Sequence, residues 1–486
     1  MINVKRKSKF SIFNLINWIL FIGVVLLGAL DFFVIFKYKI LNFKYINYMA
    51  FGIWLFMCLI LFIMNYKKRF KIFVFIFSIF MICSMVFAFN KINSAVNFFS
   101  KLNVSAKVSE NSISVMVLKD SPISDIKGLG NAPVLAASEI DKDNIEKLVK
   151  DVKEKNGVDL NLEQSISYLK AYEDLISGKS KAMILNSAYV GLIESVHQNF
   201  LQGLKSIYEL KITREVKEIQ KEYNTDNVKS FNIYVSGIDT YGSITNVSRS
   251  DVNVIVSVNM DTHKIVLTSV PRDSYVRIQG GGNNQYDKLT HSGIYGIDAS
   301  VSTLEKLYDT NIDYYVRVNF SSFMKLIDLL GGIEVENTQA FKSTHGGFYF
   351  PQGKVMLTSE KALGFVRERY SLSDGDRDRG RNHEKVIAAI INKMSGKEFL
   401  LNYQNILNEL SNSIQTNMPL ETVMELVNKQ LGSGSKFSIS SQDLKGVGKR
   451  GLPSYAMPGY DLYMMEVNQQ SLEETKNNIK KVLEEK

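Results

Sequence analysis

The sequence predicts a membrane-anchored α/β protein with three N-terminal transmembrane helices, a small α/β accessory domain and an α/β/α sandwich with a mixed sheet. Three long apolar stretches lie within the first 90 residues. In the remainder, segments that alternate β-branched residues interleave with segments of helical spacing, which is typical of layered α/β domains. A chain of 486 residues is also long enough for several domains.

The apolar stretches predict the membrane helices. Ile12–Phe36 contains one charged residue, Asp31, whereas Ile46–Met64 and Ile72–Phe89 contain none. At about 1.5 Å per helical residue, each stretch approaches or exceeds the roughly 30 Å hydrocarbon core of a bilayer. A helix satisfies all its backbone polar groups internally, so it can cross this core. A signal peptide has only one short apolar region, so it does not explain three successive stretches.

The net charge of +9 is unevenly distributed. Residues 1–101 contain thirteen Lys or Arg and one acid, for +12, whereas the remaining 45 basic and 48 acidic residues give −3. The basic excess therefore belongs to the membrane segment and does not indicate a nucleic-acid partner. Both cysteines, Cys58 and Cys83, lie inside the apolar stretches, so a thiol nucleophile or a cysteine metal site outside the membrane is excluded.

The loop charges predict the orientation of the helices. Eight basic residues flank one side and five flank the other, and the richer side is expected to be cytoplasmic. We therefore expect a multi-pass protein of the cell membrane with a cytoplasmic N-terminus and with both folded domains extracellular. The eight residues on the predicted cytoplasmic side are Lys5, Arg6, Lys7, Lys9, Lys67, Lys68, Arg69 and Lys71.

The predicted organisation has four parts. Residues 1–90 form the membrane helices, 91–110 a polar linker, 111–225 the accessory domain and 226–486 a larger α/β domain. The accessory domain loosely resembles one lobe of a solute-binding protein. It contains no convergent catalytic set and is predicted to serve interaction, with an unknown protein partner. Helical structure is expected at its end, including a charged helix over 211–223.

Charged residues follow the predicted strand ends of the second domain, where α/β folds bind ligands. Asp239 ends one strand and Asp251 begins the next. If these strands are neighbours, the two carboxylates meet at one sheet edge. Two carboxylates, completed by waters and phosphate oxygens, are the usual protein contribution to a Mg²⁺ site.

Five arginines accompany this carboxylate pair, and their planar donors suit phosphate oxygens. Each one alone is typical of a solvated surface, but their joint position after strand ends favours a polyanion, most simply a pyrophosphate. The preceding helix is expected to end near Val366, because two arginines two positions apart share a face only on extended chain. The five are Arg249, Arg272, Arg367, Arg369 and Arg379.

These motifs carry a family resemblance that covers about residues 230–400. The sequence resembles the LytR-CpsA-Psr (LCP) family, and its three spans with an accessory domain resemble the capsular-polysaccharide branch. The matching motifs are Gly237-Ile238-Asp239-Thr240-Tyr241-Gly242, Arg249-Ser250-Asp251, Pro271-Arg272-Asp273, Asp287-Lys288-Leu289-Thr290-His291, Arg367-Glu368-Arg369 and Asp376-Arg377-Asp378-Arg379.

The resemblance implies an LCP-like fold and a phosphotransferase that moves a glycopolymer, capsular or teichoic-acid-like, from a polyprenyl-pyrophosphate carrier to peptidoglycan. It implies that Asp239 and Asp251 hold Mg²⁺ on the pyrophosphate. Arg249, Arg272, Arg367 and Arg369 would clamp the phosphates with Arg379 close by, and Asp273 would order this network. The acceptor hydroxyl is the nucleophile, and Asp273 and Asp376 are both candidates for accepting its proton.

One position departs from the family pattern. The chain has Asn382-His383 where the family commonly has Arg-Gln. His383 is predicted to donate to phosphate, or to add a titrating group that makes activity pH-sensitive.

Two other functions remain open from the sequence. The same site could hydrolyse a polyprenyl pyrophosphate, with water replacing the sugar hydroxyl. It could also belong to a non-enzymatic membrane regulator that binds polyprenyl phosphates. A DNA-binding regulator conflicts with the predicted outward topology and the negative charge of the exported part.

Overall fold

The computed structural model describes residues 12–216, 229–240, 243–396 and 414–485. The chain divides into two compact units. Among the described residues, the membrane unit comprises 12–100 and 419–435, and the larger unit comprises 101–216, 229–240, 243–396, 414–418 and 436–485. The basic residues before position 12 and the motif residues Tyr241 and Gly242 lie outside the described ranges.

Three apolar helices form the membrane unit, as predicted. They are α1 Ile12–Lys37, α2 Ile46–Tyr66 and α3 Lys71–Ala106. Within the described residues these three are long and apolar enough to cross a membrane. Their shared interior buries Val24, Leu61 and Val74, and Gly28 leaves room for the indole of Trp54. The protein is therefore membrane-anchored.

The third helix corrects the predicted linker. α3 continues to Ala106, so most of the polar stretch 91–110 is helical rather than extended. That stretch contains neither Gly nor Pro, and polar residues alone do not end a helix. Its polarity marks where the helix leaves apolar surroundings.

A separate helix, α11 (Leu420–Ser433), also belongs to the membrane unit. The Asn428 side chain donates to the Lys39 carbonyl at 2.7 Å and accepts from the Asn42 amide at 3.1 Å. These bonds attach α11 to the loop between α1 and α2.

The accessory part of the larger unit is a five-stranded sheet of order β3-β2-β4-β1-β5. Strand β1 pairs antiparallel with β4 and β5, and β2 pairs parallel with β3 and β4. The strands are β1 Val108–Leu118, β2 Pro133–Ala136, β3 Asn161–Gln164, β4 Ala182–Asn186 and β5 Leu204–Glu215. The helices are α4 Ser138–Asn156, α5 Tyr168–Ile176 and α6 Val190–Glu194.

The long strand β5 replaces the helical structure predicted for this stretch, including the start of the charged helix at 211–223. A short 3₁₀ turn, Phe200–Gly203, precedes it, and β5 then pairs with β1 along its whole length. Polar and charged residues occupy its exposed positions. Spacing alone does not distinguish such an amphipathic strand from an amphipathic helix. Residues 217–223 lie outside the described ranges.

The second part of the larger unit contains a six-stranded mixed sheet of order β16-β11-β6-β7-β8-β17. β7 is antiparallel to β6 and β8, whereas β11 pairs parallel with β6 and β17 pairs parallel with β8. This confirms the predicted mixed sheet. The strands are β6 Ser230–Ile238, β7 Ser250–Asn259, β8 Lys264–Ser269, β11 Tyr314–Asn319, β16 Ile414–Thr416 and β17 Ser438–Asp443.

Helices pack on this sheet, and smaller sheets extend it. The core of one layer joins Ile255 and Tyr315 of the sheet to Leu304 and Ile479 of two helices. The helices are α7 Ile297–Tyr308, α8 Phe320–Leu329, α9 Ser359–Arg367, α10 Asp376–Met394 and α12 Gln469–Glu484. The remaining strands are β9 Ser274–Arg277, β10 Tyr286–Lys288, β12 Ile333–Asn337, β13 Phe341–Lys342, β14 Tyr349–Phe350, β15 Gly353–Leu357, β18 Gly446–Lys449 and β19 Met464–Val467.

Candidate active site

The two predicted carboxylates meet at one edge of the mixed sheet. β6 and β7 are antiparallel neighbours, and Ile238 pairs with Ser250 at the end of the ladder. Asp239 therefore follows the last residue of β6, while Asp251 lies beside it at the start of β7. The adjacency of these strands, which the sequence left as a condition, is met.

Asp251 is the centre of a dense set of donors. Its Oδ2 accepts a bond from Arg272 Nη1 at 2.9 Å, and its Oδ1 accepts one from the Thr290 hydroxyl at 2.8 Å. Arg249 Nη2 lies 4.0 Å from the same carboxylate. Burial opposes ionisation of Asp251, but Arg272, Arg249 and Arg379 outweigh it and hold its pKa well below the usual range. The carboxylate is therefore ionised at any physiological pH.

Asp239 is more exposed than its partner and titrates differently. Desolvation and the negative charge of Asp251 raise the pKa of Asp239, while Arg367, Arg249 and Arg272 oppose this shift. Repulsion between two carboxylates is relieved when a cation binds between them. Among the described residues, no group of three or more His, Cys, Asp or Glu could hold a metal ion. This pair fits Mg²⁺ only if phosphate oxygens and waters complete the coordination.

Two buried arginines leave donors unpaired. Nε of Arg272 and Nε of Arg379 are enclosed and have no hydrogen-bond partner within the described ranges. An unpaired buried donor costs about 1–3 kcal/mol, so these groups favour an anionic ligand. A cleft collects them beside the Asp376 carboxylate. Its lining residues are Asp251, Ser269, Pro271, Arg272, Asp376, Arg377, Arg379, Gly380, His383 and Asp443.

Asp273 bonds directly to a lysine and lies farther from Arg272. Its Oδ1 accepts a bond from Lys288 Nζ at 2.9 Å, and its Oδ2 lies 3.9 Å from Arg272 Nε. The carboxylate is largely buried between these two cations. It therefore holds Arg272 in place and has little freedom to reach a substrate proton.

The two arginines around Glu368 diverge. α9 ends at Arg367, close to the predicted boundary at Val366. The Arg367 guanidinium stacks over the Phe320 ring at 4.4 Å. Glu368 is fully buried and accepts bonds from the backbone amides of Arg369 and Ser371. Although burial opposes it, these and other hydrogen bonds lower the pKa of Glu368 to about 2.

The Arg369 guanidinium lies 4.5 Å over the Tyr370 ring and bonds its hydroxyl. This position corrects the expectation that Arg369 joins Arg367 in the clamp. The buried Glu368 carboxylate turns the chain after the helix, so Arg367 remains near Asp239 while Arg369 is directed to the exposed Tyr370.

His383 also differs from its predicted roles. Its Nε2 lies 2.9 Å from the Val366 carbonyl and must donate to it. Burial, together with Arg379, lowers the pKa of His383 to about 3, so the ring is neutral. A neutral imidazole has one N–H, and this one is used on the backbone. His383 therefore neither donates to phosphate nor titrates near neutral pH in this arrangement.

The acidic and basic run at the start of α10 divides into two sets. Arg379 and Asp376 pair at 2.6 Å and face the cleft. Arg381 instead bonds Asp378 at 2.6 Å and Asp374 at 3.1 Å. One helical face thus serves the cleft, whereas the other forms ion pairs that hold the helix start.

Sequence reasoning assigned no role to three residues at the site. Thr290 bonds Asp251 and Lys288 bonds Asp273, and both belong to the Asp287–His291 motif that was recognised but given no function. The motif itself is locked because the buried Asp287 carboxylate accepts bonds from His291 and Ser454 at 2.8 Å each. Glu384 is buried, and its carboxylate accepts a bond at 3.0 Å from the backbone amide of Ser269, which lines the cleft.

The fold and site thus define a membrane-anchored α/β protein whose mixed sheet ends in a carboxylate pair among buried arginines. The LytR_cpsA_psr family model matches residues 196–481, and the chain belongs to this family. A second model, DNA polymerase processivity factor, matches residues 67–185.

Similar proteins carry related names. The polyisoprenyl-teichoic acid–peptidoglycan teichoic acid transferase TagU of Oceanobacillus iheyensis is 32% identical over 243 residues, which is 49% of this chain and 72% of that protein. The corresponding Bacillus subtilis transferase, TagT, is 30% identical over 321 residues, 64% of this chain and 94% of that protein. Among solved structures, B. subtilis TagV is 25% identical with a TM-score of 0.46, covering 53% of this chain and 98% of its own.

Proposed function

We propose that this protein transfers a glycopolymer from a polyprenyl-pyrophosphate carrier to peptidoglycan at the outer face of the cell membrane. The observation that carries the proposal is the pair of unpaired Nε donors on Arg272 and Arg379, buried beside the two strand-end carboxylates. Family membership and the names of the similar transferases support the same reaction.

The carboxylates and the arginines have different roles at the pyrophosphate: the former bind the metal ion and the latter bind phosphate oxygens. Asp239 and Asp251 would hold Mg²⁺, which when bound neutralises charge on the phosphates. Arg249, Arg272, Arg367 and Arg379 supply charge-assisted hydrogen bonds to phosphate oxygens. These donors are fixed before the substrate arrives, so they stabilise charge that develops during transfer without reorganising.

The nucleophile in this proposal is an acceptor sugar hydroxyl, so the enzyme needs only to receive its proton. Asp376 faces the cleft, whereas Asp273 is held between Lys288 and Arg272. We therefore assign the proton-accepting role to Asp376.

The orientation proposed for the membrane unit has support from charge and from a contact. The loop that contains Lys67, Lys68 and Arg69 is strongly basic. α11, which lies late in the chain, bonds to the loop on the other side of the bundle, between α1 and α2. Both observations favour a cytoplasmic N-terminus and extracellular folded domains.

The test uses the full-length protein in detergent with a polyprenyl-pyrophosphate-linked glycopolymer and peptidoglycan fragments. We expect covalent glycopolymer–peptidoglycan product that requires Mg²⁺ and is lost on addition of EDTA. Parallel assays with capsular and teichoic-acid donors identify the glycopolymer.

Three outcomes would contradict the proposal. Release of free glycopolymer at the same rate with and without peptidoglycan would indicate hydrolysis. Full product formation in EDTA would exclude the metal role. Wild-type cell-wall glycopolymer content with Asp239→Ala, in cells lacking the native copy, would indicate a regulator that only binds polyprenyl phosphates.

A further inference from the structure

The accessory sheet lies against the segment that carries Arg249. Strand β1 and residues 245–247 form one parallel β-bridge: the Glu110 amide donates to the Thr245 carbonyl, and the Val247 amide donates to the Glu110 carbonyl, both at 2.9 Å. The Thr245 hydroxyl also donates to the Glu110 carboxylate at 2.5 Å. The accessory sheet thus extends directly into the chain that leads to the site.

The six-stranded mixed sheet also holds this segment. The buried Arg317 of β11 donates from Nη2 to the Asn246 carbonyl at 2.9 Å and from Nη1 to the Ile244 carbonyl at 3.3 Å. Gly293 packs against the backbone on either side of Arg249, where a β-carbon would lie 2.5 Å from the Ser248 carbonyl oxygen. Contacts from both domains therefore fix the backbone from which the Arg249 side chain extends.

The Arg249 side chain also contacts the accessory domain, in addition to the backbone contact of residues 245–247. A β-carbon placed on Gly191 of α6 would lie 2.9 Å from Arg249 Nε and 3.4 Å from its Cζ. The guanidinium is thus seated on the bare backbone of α6, and only 16% of the side chain remains exposed. Arg249 can point toward Asp251 because Gly191 has no side chain.

We propose that the accessory domain is a positioning part of the transfer site, and that Gly191 sets the place of the Arg249 guanidinium. Its partner is the catalytic domain of its own chain. This inference rests on the proposed function, because it assumes that Arg249 binds a phosphate of the substrate. Gly191 touches no reacting atom and acts through Arg249.

The experiment compares two glycines of the accessory domain in the full-length protein. Gly191→Ala adds a methyl group against Arg249, whereas Gly203→Ala adds one where no atom lies within 4 Å. Each change is measured in the wild type and in the Arg249→Ala background. The readouts are the transfer rate, the affinity for farnesyl pyrophosphate in Mg²⁺, and the thermal midpoint.

We expect Gly191→Ala to weaken transfer and farnesyl pyrophosphate binding by about tenfold, since misplacing a binding group by a fraction of an ångström to 1 Å has effects of this order. Gly203→Ala should change neither, and the thermal midpoint should stay the same in both variants. In the Arg249→Ala background, Gly191→Ala should have no further effect, because the two changes act through one group.

Two results would overturn this inference and leave the proposed function intact. One is that Arg249→Ala is impaired while Gly191→Ala is fully active. The other is that Gly191→Ala causes the same loss with and without Arg249, as a general folding defect would. If Arg249→Ala itself retained full transfer and binding, the role of Arg249 in the proposed function would fail, and the inference with it.

Discussion

Two buried aspartates near strand ends, Asp141 in the accessory domain and Asp251 at the mixed sheet, have pKa values shifted in opposite directions. In the accessory domain, Asp141 accepts bonds from the Tyr168 hydroxyl at 2.6 Å and from the Asn186 and Asn144 amides at 2.7 and 2.6 Å. Its donors are neutral, and burial raises its pKa despite them. At the mixed sheet, Asp251 is surrounded by arginines and its pKa is lowered.

The difference shows what makes a sheet edge a binding site. Neutral donors satisfy the oxygens of a carboxylate but bring little charge, so Asp141 closes a self-contained structural network. Guanidinium groups bring charge, and each has more N–H donors than one carboxylate can use. The donors left over around Asp251 are available to a ligand.

The largest effect that tests this comparison is the loss of one guanidinium. Arg272→Gln removes a charged donor from the cleft, and we expect transfer to fall by about 100- to 1,000-fold, as when one preorganised donor to developing charge is removed. The initial rate of glycopolymer transfer measures it. Arg381→Gln lies on α10, the helix that carries the cleft residue Arg379, but Arg381 is paired with Asp378 and Asp374, so this change should cost less than about fivefold. Equal losses in both variants would show that general charge, rather than cleft position, matters.

Asp141→Asn should affect stability and leave transfer intact. The new amide can keep its oxygen toward the Tyr168 and Asn186 donors, which leaves its NH₂ group facing the Asn144 amide. One bond is then lost, and we expect the unfolding free energy to fall by about 1–3 kcal/mol. Denaturant unfolding of the accessory domain measures this. A loss of transfer in protein that remains fully folded would break the comparison, because Asp141 would then be functional.

Glu384 is a third buried carboxyl. It lies close to the cleft but bonds to a backbone amide rather than to an arginine, so its pKa separates the effect of the arginines from the effect of position. Glu384 bonds to the backbone of the cleft residue Ser269, and burial raises its pKa to about 8. The folded state therefore keeps a proton that the unfolded chain loses above about pH 4.5, and stability falls as pH rises from there to about 8.

Glu384→Gln removes this titration. Its stability advantage over the wild type should grow through that window by up to about 1.4 kcal/mol per pH unit. Chemical denaturation at pH 5, 6.5 and 8 measures the trend. The exposed Glu473→Gln should give a curve parallel to the wild type, and a parallel curve for Glu384→Gln would show that its carboxyl is not held neutral.

The smallest expected effect is at His383. Because its ring is neutral and donates to the Val366 carbonyl, a glutamine amide can replace that bond. We expect His383→Gln to leave the shape of the pH–activity profile unchanged between about pH 5.5 and 8. A profile that loses an inflection near pH 6.5 would show that the histidine titrates in the working enzyme.

Much of the architecture was predictable because it depends on local pattern. Continuous hydropathy predicted the three membrane helices, and local pattern predicted the strands next to Asp239 and Asp251, although it left open whether these strands are neighbours. The same methods failed at 91–106 and 204–215. In these stretches, polar or charged residues are compatible with linker, helix or strand, and only the pairing of β5 with β1 decides between them.

The site was predictable in composition but not in arrangement. The motifs identified the family and collected the arginines at strand ends, because residue identity and spacing survive in the sequence. They did not indicate which side chains converge. Thr290 and Lys288 reach the carboxylates from a distant motif, and the buried Glu368 directs Arg369 away from Arg367.

Hydropathy, charge count and spacing along the chain were sufficient to predict the membrane segment, the segregation of its +12 charge from the rest of the chain, and the family. The neutral ring of His383, the difference between Asp141 and Asp251, and the contact of Gly191 with Arg249 became visible in the folded protein alone. Ionisation and packing depend on groups that are distant in sequence, and folding alone brings these groups into contact.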